Sequence, residues 1–266
     1  MTEHTKSDHK AAQSIATAKR LVVKIGSALL TEGDTGEIRR DWLNSVADDI
    51  AARRKGGQDV VVVSSGAIAV GRQRLGLTGK GLRLEEQQAA AATGQIQLAH
   101  AFEEALARHG VTVAQILLTL DDTEERRRHL NARSTINQLL SLKAVPLINE
   151  NDTVATQEIR FGDNDRLAAR VAVMISADTL LLLSDIDGLY ASDPRADPDA
   201  RHISEVRKVD AVIEAMAGEA PVGYSSGGMV TKLQGAEIAL SGGCRMAIGN
   251  GHANHPLQRL IDGEIG

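Results

Sequence analysis

Two unbroken apolar runs, Val60-Val61-Val62-Val63 and Leu180-Leu181-Leu182-Leu183, constrain this chain more than any other feature. Neither run has a polar side, so each reads as a short strand buried on both faces. Such strands belong to parallel sheets with helices packed above and below. The rest of the chain alternates to match. Leu21-Val22-Val23-Lys24-Ile25 is a strand that stops at Gly26-Ser27. Asp41 caps a helix carrying Leu43, Val46, Ala47 and Ile50 on one side, ended by Gly56-Gly57. The valine strand stops at Ser64-Ser65-Gly66, and a helical segment follows it. A long alanine-rich helix is expected over 85–108, with Gly110 past its end. A strand over 113–118, a charged helix over 122–142 and a strand over 145–148 come next. From Asp165 onward Leu167, Val171, Met174 and Ile175 keep helical spacing. After the leucine strand, Asp193-Pro194 and Asp197-Pro198 mark a loop. A glycine-rich turn at 223–228 then opens a helix bearing Lys232, and a strand over 245–248 closes the series. The fold class is therefore α/β, with a mostly parallel central sheet covered on both faces.

The chain has 266 residues, 42% of them hydrophobic but only 2% aromatic, so its core must be built from Ala, Val, Leu and Ile. Its net charge of −5 argues against a general nucleic-acid binder. An anionic ligand would have to be held by local charge. Cys244 is the only cysteine, which excludes an intrachain disulfide and a cysteine metal cluster. No apolar run approaches membrane-spanning length. The polar N-terminus lacks the apolar segment of a secretory signal, so a soluble, cytoplasmic protein is expected. Residues 1–18 are expected to be a disordered tail and 19–266 a single domain, with no internal repeat, linker or clear break. Its N-terminal half would hold one ligand and its C-terminal half another.

Function concentrates between residues 149 and 165. Asn149-Glu150-Asn151-Asp152 follows an apolar strand, and Gly162-Asp163-Asn164-Asp165 opens a helix. Helix capping accounts for Asp165 alone. It does not account for the other four carboxylates and the three asparagines within those seventeen residues; solvated loop chemistry is the remaining alternative for those. Open α/β sheets bind ligands at the carboxyl ends of their strands. There stand Lys24-Ile25-Gly26-Ser27, Ser64-Ser65-Gly66-Ala67, Asn149 to Asp152, and Ser184-Asp185. Glycine admits close backbone approach and leaves N–H groups free for an anion. A glycine turn opening a helix, as at Ser226-Gly227-Gly228, suits phosphate. Neither Gly-x-x-x-x-Gly-Lys-[Ser/Thr] nor Gly-x-Gly-x-x-Gly is present, and the protein-kinase motifs are absent too. Phosphoryl transfer would still need charge, a metal and positioning. Lys24 and Lys232 supply charge from opposite ends of the chain, and Asp165 is placed to hold both ammonium groups.

Six segments together resemble the amino acid kinase family, and its glutamate-phosphorylating branch most of all. They are Val22-Val23-Lys24-Ile25-Gly26-Ser27, Ser64-Ser65-Gly66-Ala67-Ile68-Ala69, Ile148-Asn149-Glu150-Asn151-Asp152, Gly162-Asp163-Asn164-Asp165, Leu183-Ser184-Asp185-Ile186-Asp187-Gly188-Leu189-Tyr190 and Gly227-Gly228-Met229-Val230-Thr231-Lys232. They run in the family's order and span nearly the whole chain. The Asn-Glu-Asn-Asp and Gly-Asp-Asn-Asp pair is the most specific part.

The resemblance implies a three-layer α/β/α sandwich. It implies ATP-dependent phosphorylation of the L-glutamate γ-carboxylate, the first step of proline biosynthesis, with Mg²⁺. By position, Lys24, Asp165 and Lys232 would be catalytic. Ser65, Gly66, Ala67, Asn149, Asp152 and Asn164 would hold glutamate. Lys24, Gly26, Ser184, Asp185, Ser226, Gly227, Gly228, Met229, Val230, Thr231 and Lys232 would hold ATP. Feedback inhibition by proline, a homo-oligomer (dimer or tetramer) and transfer of the product to glutamate-5-semialdehyde dehydrogenase are implied as well, with no nucleic acid or membrane partner. Ser184 and Ser226 stand where the family commonly has threonine, which keeps the hydroxyl. Members of this branch often continue into a C-terminal PUA domain; the chain ends at Gly266, which leaves no room for one and suggests trimming. Two alternatives stay open: a related kinase with another carboxylate, carbamate or phosphate acceptor, and a non-catalytic amino-acid or nucleotide sensor.

Overall fold

The computed structural model describes residues 3–77, 81–154, 164–218 and 228–264. Six strands form the central sheet: β1 (Arg20–Ile25), β2 (Asp59–Val63), β3 (Val113–Leu118), β4 (Val145–Glu150), β5 (Thr179–Ser184) and β6 (Arg245–Asn250). Their spatial order is β6-β5-β1-β2-β4-β3. Every neighbouring pair is parallel. The flanking helices include α1 (Glu3–Thr17), α2 (Arg40–Lys55), α3 (Ala67–Arg74), α4 (Leu84–Ala107), α5 (Arg126–Ser141), α6 (Asn164–Met174), α7 (Met229–Ser241) and α8 (Pro256–Ile261).

Alternation along the strands sorts the core into two layers. Leu21, Val23, Val60, Val62, Leu181 and Leu183 point to one face, where Trp42 and Val46 of α2 and Phe102 of α4 cover them. Val22, Val61, Val63, Leu180 and Leu182 point to the other, against Ile136 of α5, Val171 of α6 and Ala239 of α7. Full burial of one Val or Leu contributes about 1.5–3 kcal/mol, and every residue of these two runs is fully buried. The sole tryptophan also makes polar contacts: Trp42 Nε1 donates to Gly251 O at 2.7 Å and to Ala253 O at 3.1 Å. Lys24 lies two residues past Val22 and so shares its face, turned toward α6.

The strand order also fixes where a ligand can enter. β1 pairs with β2 on one side and β5 on the other. The chain builds outward from β1 in one direction and then in the other. That reversal opens a crevice at the carboxyl ends of the central strands.

Three local expectations are corrected. The segment expected to be a disordered tail, 1–18, is instead largely helix α1, whose Ile15 is fully buried in the core. Gln58 Nε2 donates to Ile15 O and Ala18 O, and Thr179 Oγ1 donates to Ser14 O. Secondly, the single helix expected over 122–142 is two, Leu120–Glu124 and α5. They are separated at Glu125, whose side chain accepts from Arg127 N and Arg128 N. Thirdly, Arg39 is the residue before α2, and Asp41 sits within its first turn rather than capping it.

Candidate active site

At the crevice, β1 delivers Lys24, α6 delivers Asp165 and α7 delivers Lys232. The Asp165 carboxylate bridges them: Lys24 Nζ lies 2.6 Å from Oδ1 and Lys232 Nζ 3.1 Å from Oδ2. All three residues are buried, at 6%, 1% and 4% exposure respectively. Burial works to raise the Asp165 pKa, but the two ammonium groups outweigh it and hold the carboxyl below its usual value. Removing one partner from a buried charge pair typically costs 3–5 kcal/mol, so the three groups stand or fall together. Thr231 joins them, its hydroxyl lying 3.1 Å from Asp165 Oδ2 and 2.9 Å from Gly228 O.

The residues expected to hold the acceptor gather on the β2–β4 side. Gly66 has φ +92°, a conformation that only glycine adopts freely, and it turns the chain from β2 into α3 at Ala67. Asn164 Nδ2 donates within a cluster of Ser64 O (2.8 Å), Ser65 Oγ (3.1 Å) and Asn149 Oδ1 (3.0 Å). Asn149 Nδ2 and Asn164 Oδ1 are buried with no hydrogen-bond partner among the described residues. An unmet buried polar group is costly. One donor and one acceptor are thus left unpaired among the residues expected to hold the acceptor. Asp152, in a short turn after β4, is buried. Burial first, and the charge of Glu150 second, push its pKa up to about 7.

The residues expected to hold ATP lie on the β5 side. Ser184 Oγ donates to Asp185 Oδ1 at 3.1 Å, and Arg195 pairs with Asp185 Oδ2 at 2.7 Å. Burial raises the Asp185 pKa, but the Ser184 bond and the nearby charges of Arg195 and Lys232 bring it below the usual value. Gly251 N donates to Ser184 O. Gly26 N donates to Leu183 O, tying the end of β1 to the end of β5. Gly228 precedes α7, where Met229, Val230 and Thr231 form the first turn. Ser226 and Gly227, with Gly162 and Asp163, lie outside the described residues.

Sequence reasoning passed over two features here. Thr231 was assigned to ATP, and its contact with Asp165 was not foreseen. Gln95 of α4 was not singled out, yet it is buried and its Nε2 donates to Glu150 O at 3.3 Å. A polar side chain inside an alanine-rich helix was the available signal.

Known proteins resemble this chain in sequence and in fold. A model of the amino acid kinase family matches residues 19–250. The glutamate 5-kinase of Paramagnetospirillum magneticum is 66% identical over 94% of this chain and 67% of its own length. That of Ruegeria sp. is 54% identical over 94% of this chain and 68% of its own length. For Rhodopseudomonas palustris the figures are 60%, 92% and 65%. The chain thus spans about two thirds of the length of these relatives. Carbamate kinase from Giardia lamblia bound to AMP-PNP superposes with a TM-score of 0.63 at 16% identity, covering 94% of this chain and 98% of that one. UMP kinase from Bacillus anthracis gives 0.61 at 15% identity, covering 94% of both chains. At such identities these two show a shared fold.

Proposed function

The chain belongs to the amino acid kinase family, and on that premise we propose that it transfers the γ-phosphoryl group of ATP to the γ-carboxylate of L-glutamate, the first step of proline biosynthesis. The observation that carries this reading is the Lys24–Asp165–Lys232 bridge beside an amide-lined pocket. The name shared by relatives 54–66% identical to the chain supports the choice of acceptor.

The chemistry asks little beyond placement. A glutamate carboxylate is ionised at neutral pH and needs no general base. One of its oxygens bonds to the γ-phosphorus while the bond to the β,γ-bridging oxygen breaks, and ADP leaves with the electron pair. Lys24 and Lys232 stabilise the charge spread over the moving group, and Asp165 keeps both aimed. Asp152 receives the substrate ammonium, Asn149 and Asn164 orient the rest of the amino acid, and Ser65, Gly66 and Ala67 close the pocket. Lys24, Gly26, Ser184, Asp185 and the segment 226–232 hold ATP.

Mg²⁺ fits this site as an ion carried on the nucleotide. Both oxygens of Asp165 already face ammonium groups, and Mg²⁺ commonly takes one or two carboxylates plus substrate phosphates. Asp185 is the carboxylate on the nucleotide side that would reach it, directly or through water. Bound there, the ion would neutralise phosphate charge. The protein works in the cytoplasm as a homo-oligomer, dimer or tetramer. Its product passes to glutamate-5-semialdehyde dehydrogenase.

A coupled assay of ADP release tests the reading. Release should require both glutamate and Mg²⁺. Folded protein that binds ATP but releases no more ADP with saturating glutamate than without it would overturn the proposal. Turnover with a different carboxylate, carbamate or phosphate would redirect it to that acceptor.

A further inference from the structure

Helix α4 contributes no residue to the motifs that mark the site, yet it touches both walls of the acceptor pocket. On one wall it crosses α3 at backbone contact. A Cβ on Gly94 would lie 1.8 Å from Ala67 O, and one on Gly71 would lie 1.8 Å from Ala90 O. The carbonyl of Ala67, the first residue after Ser65-Gly66, therefore rests directly on Gly94. On the other wall the next residue, Gln95, donates through Nε2 to Glu150 O at 3.3 Å, while its Oε1 accepts from Gln115 Nε2 at 3.3 Å. Glu150 lies between Asn149 and the turn that carries Asp152.

These contacts form a closed circuit. Ser65-Gly66-Ala67 meets Gly94, and Gln95 meets the Glu150 carbonyl. Glu150 N donates to Asn149 Oδ1, which also accepts from Asn164 Nδ2. Asn164 returns to Ser64 O and Ser65 Oγ. The geometry points to Gly94 and Gln95 as positioning residues that set the spacing between the Ser65–Ala67 wall and the Asn149–Asp152 wall, and so fix the affinity for the amino-acid acceptor. Gly94 sets how near one wall comes. Gln95 sets the height of the other. Neither residue lies on the nucleotide side, so their effect is confined to the acceptor. This inference rests on the proposed glutamate kinase activity.

Steady-state kinetics of Gln95→Glu and Gln95→Leu test it, with Gln115→Leu as a companion. Both Gln95 variants keep roughly the side-chain volume and lose the donor to Glu150 O. Each should raise the KM for glutamate about tenfold, the order expected when a buried carbonyl loses its hydrogen bond. The KM for ATP should stay near that of the parent protein. Gln115→Leu leaves the bond to Glu150 O standing and should shift the glutamate KM less than twofold. An unchanged glutamate KM in both Gln95 variants would overturn the inference. So would parallel changes in both KM values with a fall in melting temperature, the mark of a merely structural role. The parent protein is assayed first: if it does not turn over glutamate, the functional reading falls and takes this inference with it. Normal parent turnover with indifferent variants would sink the positioning role alone.

Discussion

With both oxygens of its carboxylate turned to ammonium groups, Asp165 is worth more to the site as a charge than as a helix-opening residue. Asp165→Asn keeps the shape and removes the charge. It should lower kcat by about 10²–10³, the usual cost of one preorganised electrostatic group, with smaller changes in either KM. A cap reading would leave kcat near normal, since Asn caps about as well as Asp. Asp152 permits a prediction of pH dependence. Its carboxyl titrates near 7 in the ligand-free protein, raised by burial and by Glu150. Below that value it holds a proton and offers no charge to the substrate ammonium. The affinity for glutamate should therefore rise as the pH passes upward through about 7, then level off. In Asp152→Asn affinity should be weak and flat across the same range. A profile in Asp152→Asn matching that of the parent would place the titration elsewhere. Lys24, Asp165 and Lys232 were legible in the sequence because charged residues at strand ends and helix starts stand out. Gln95 was not, because its meaning depends on Glu150, which approaches it from another element.

Among the elements, the crossing of α3 and α4 gives a measurable prediction. In an isolated helix, Gly→Ala is favourable by up to about 1 kcal/mol. At Gly71 the new methyl would sit 1.8 Å from Ala90 O, a backbone atom that cannot move aside without shifting α4. Overpacking costs about 1–3 kcal/mol or more, so the clash should win. Urea unfolding of Gly71→Ala should show a lower midpoint, and a raised midpoint would mean the crossing is looser than described. The elements themselves were largely readable. The Val60–Val63 and Leu180–Leu183 runs and the helix from Asp165 declared their burial by pattern. The break at Glu125 did not. There a run of acidic and basic residues looks like one solvated helical face, while Glu125 in fact turns its side chain back to the N–H groups that begin α5. Helix α1 was missed for a similar reason: its polar composition hides the contacts of Ile15 and Ser14 with β5 and Gln58.

At the scale of the whole molecule, the proposed acceptor and nucleotide sides lie at the same ends of the central strands, and Asp165 stands between them. Regulation can then act at the acceptor side with no second site. Proline carries the same α-ammonium and α-carboxylate as glutamate but no γ-carboxylate. It can occupy Asp152 and Asn164 while presenting nothing to the phosphoryl group, and its rigid ring loses little freedom on binding. Proline should therefore inhibit in a manner that rising glutamate relieves. Initial rates against glutamate at several proline concentrations decide this. Inhibition that lowers Vmax and leaves the glutamate KM unchanged would require a separate proline site. The loop after Asp152 lies outside the described residues from 155 to 163.

Trp42 has an optical consequence. It is the only indole in the chain, and its Nε1 is bonded to Gly251 O, whose own N–H is bonded to Ser184 O. The emitter is thus two hydrogen bonds from Ser184, on the proposed nucleotide side, and shielded from water. The protein carries a single built-in indole fluorophore, and its emission should shift as nucleotide fills the crevice. Occupancy can then be followed in the native chain without a label.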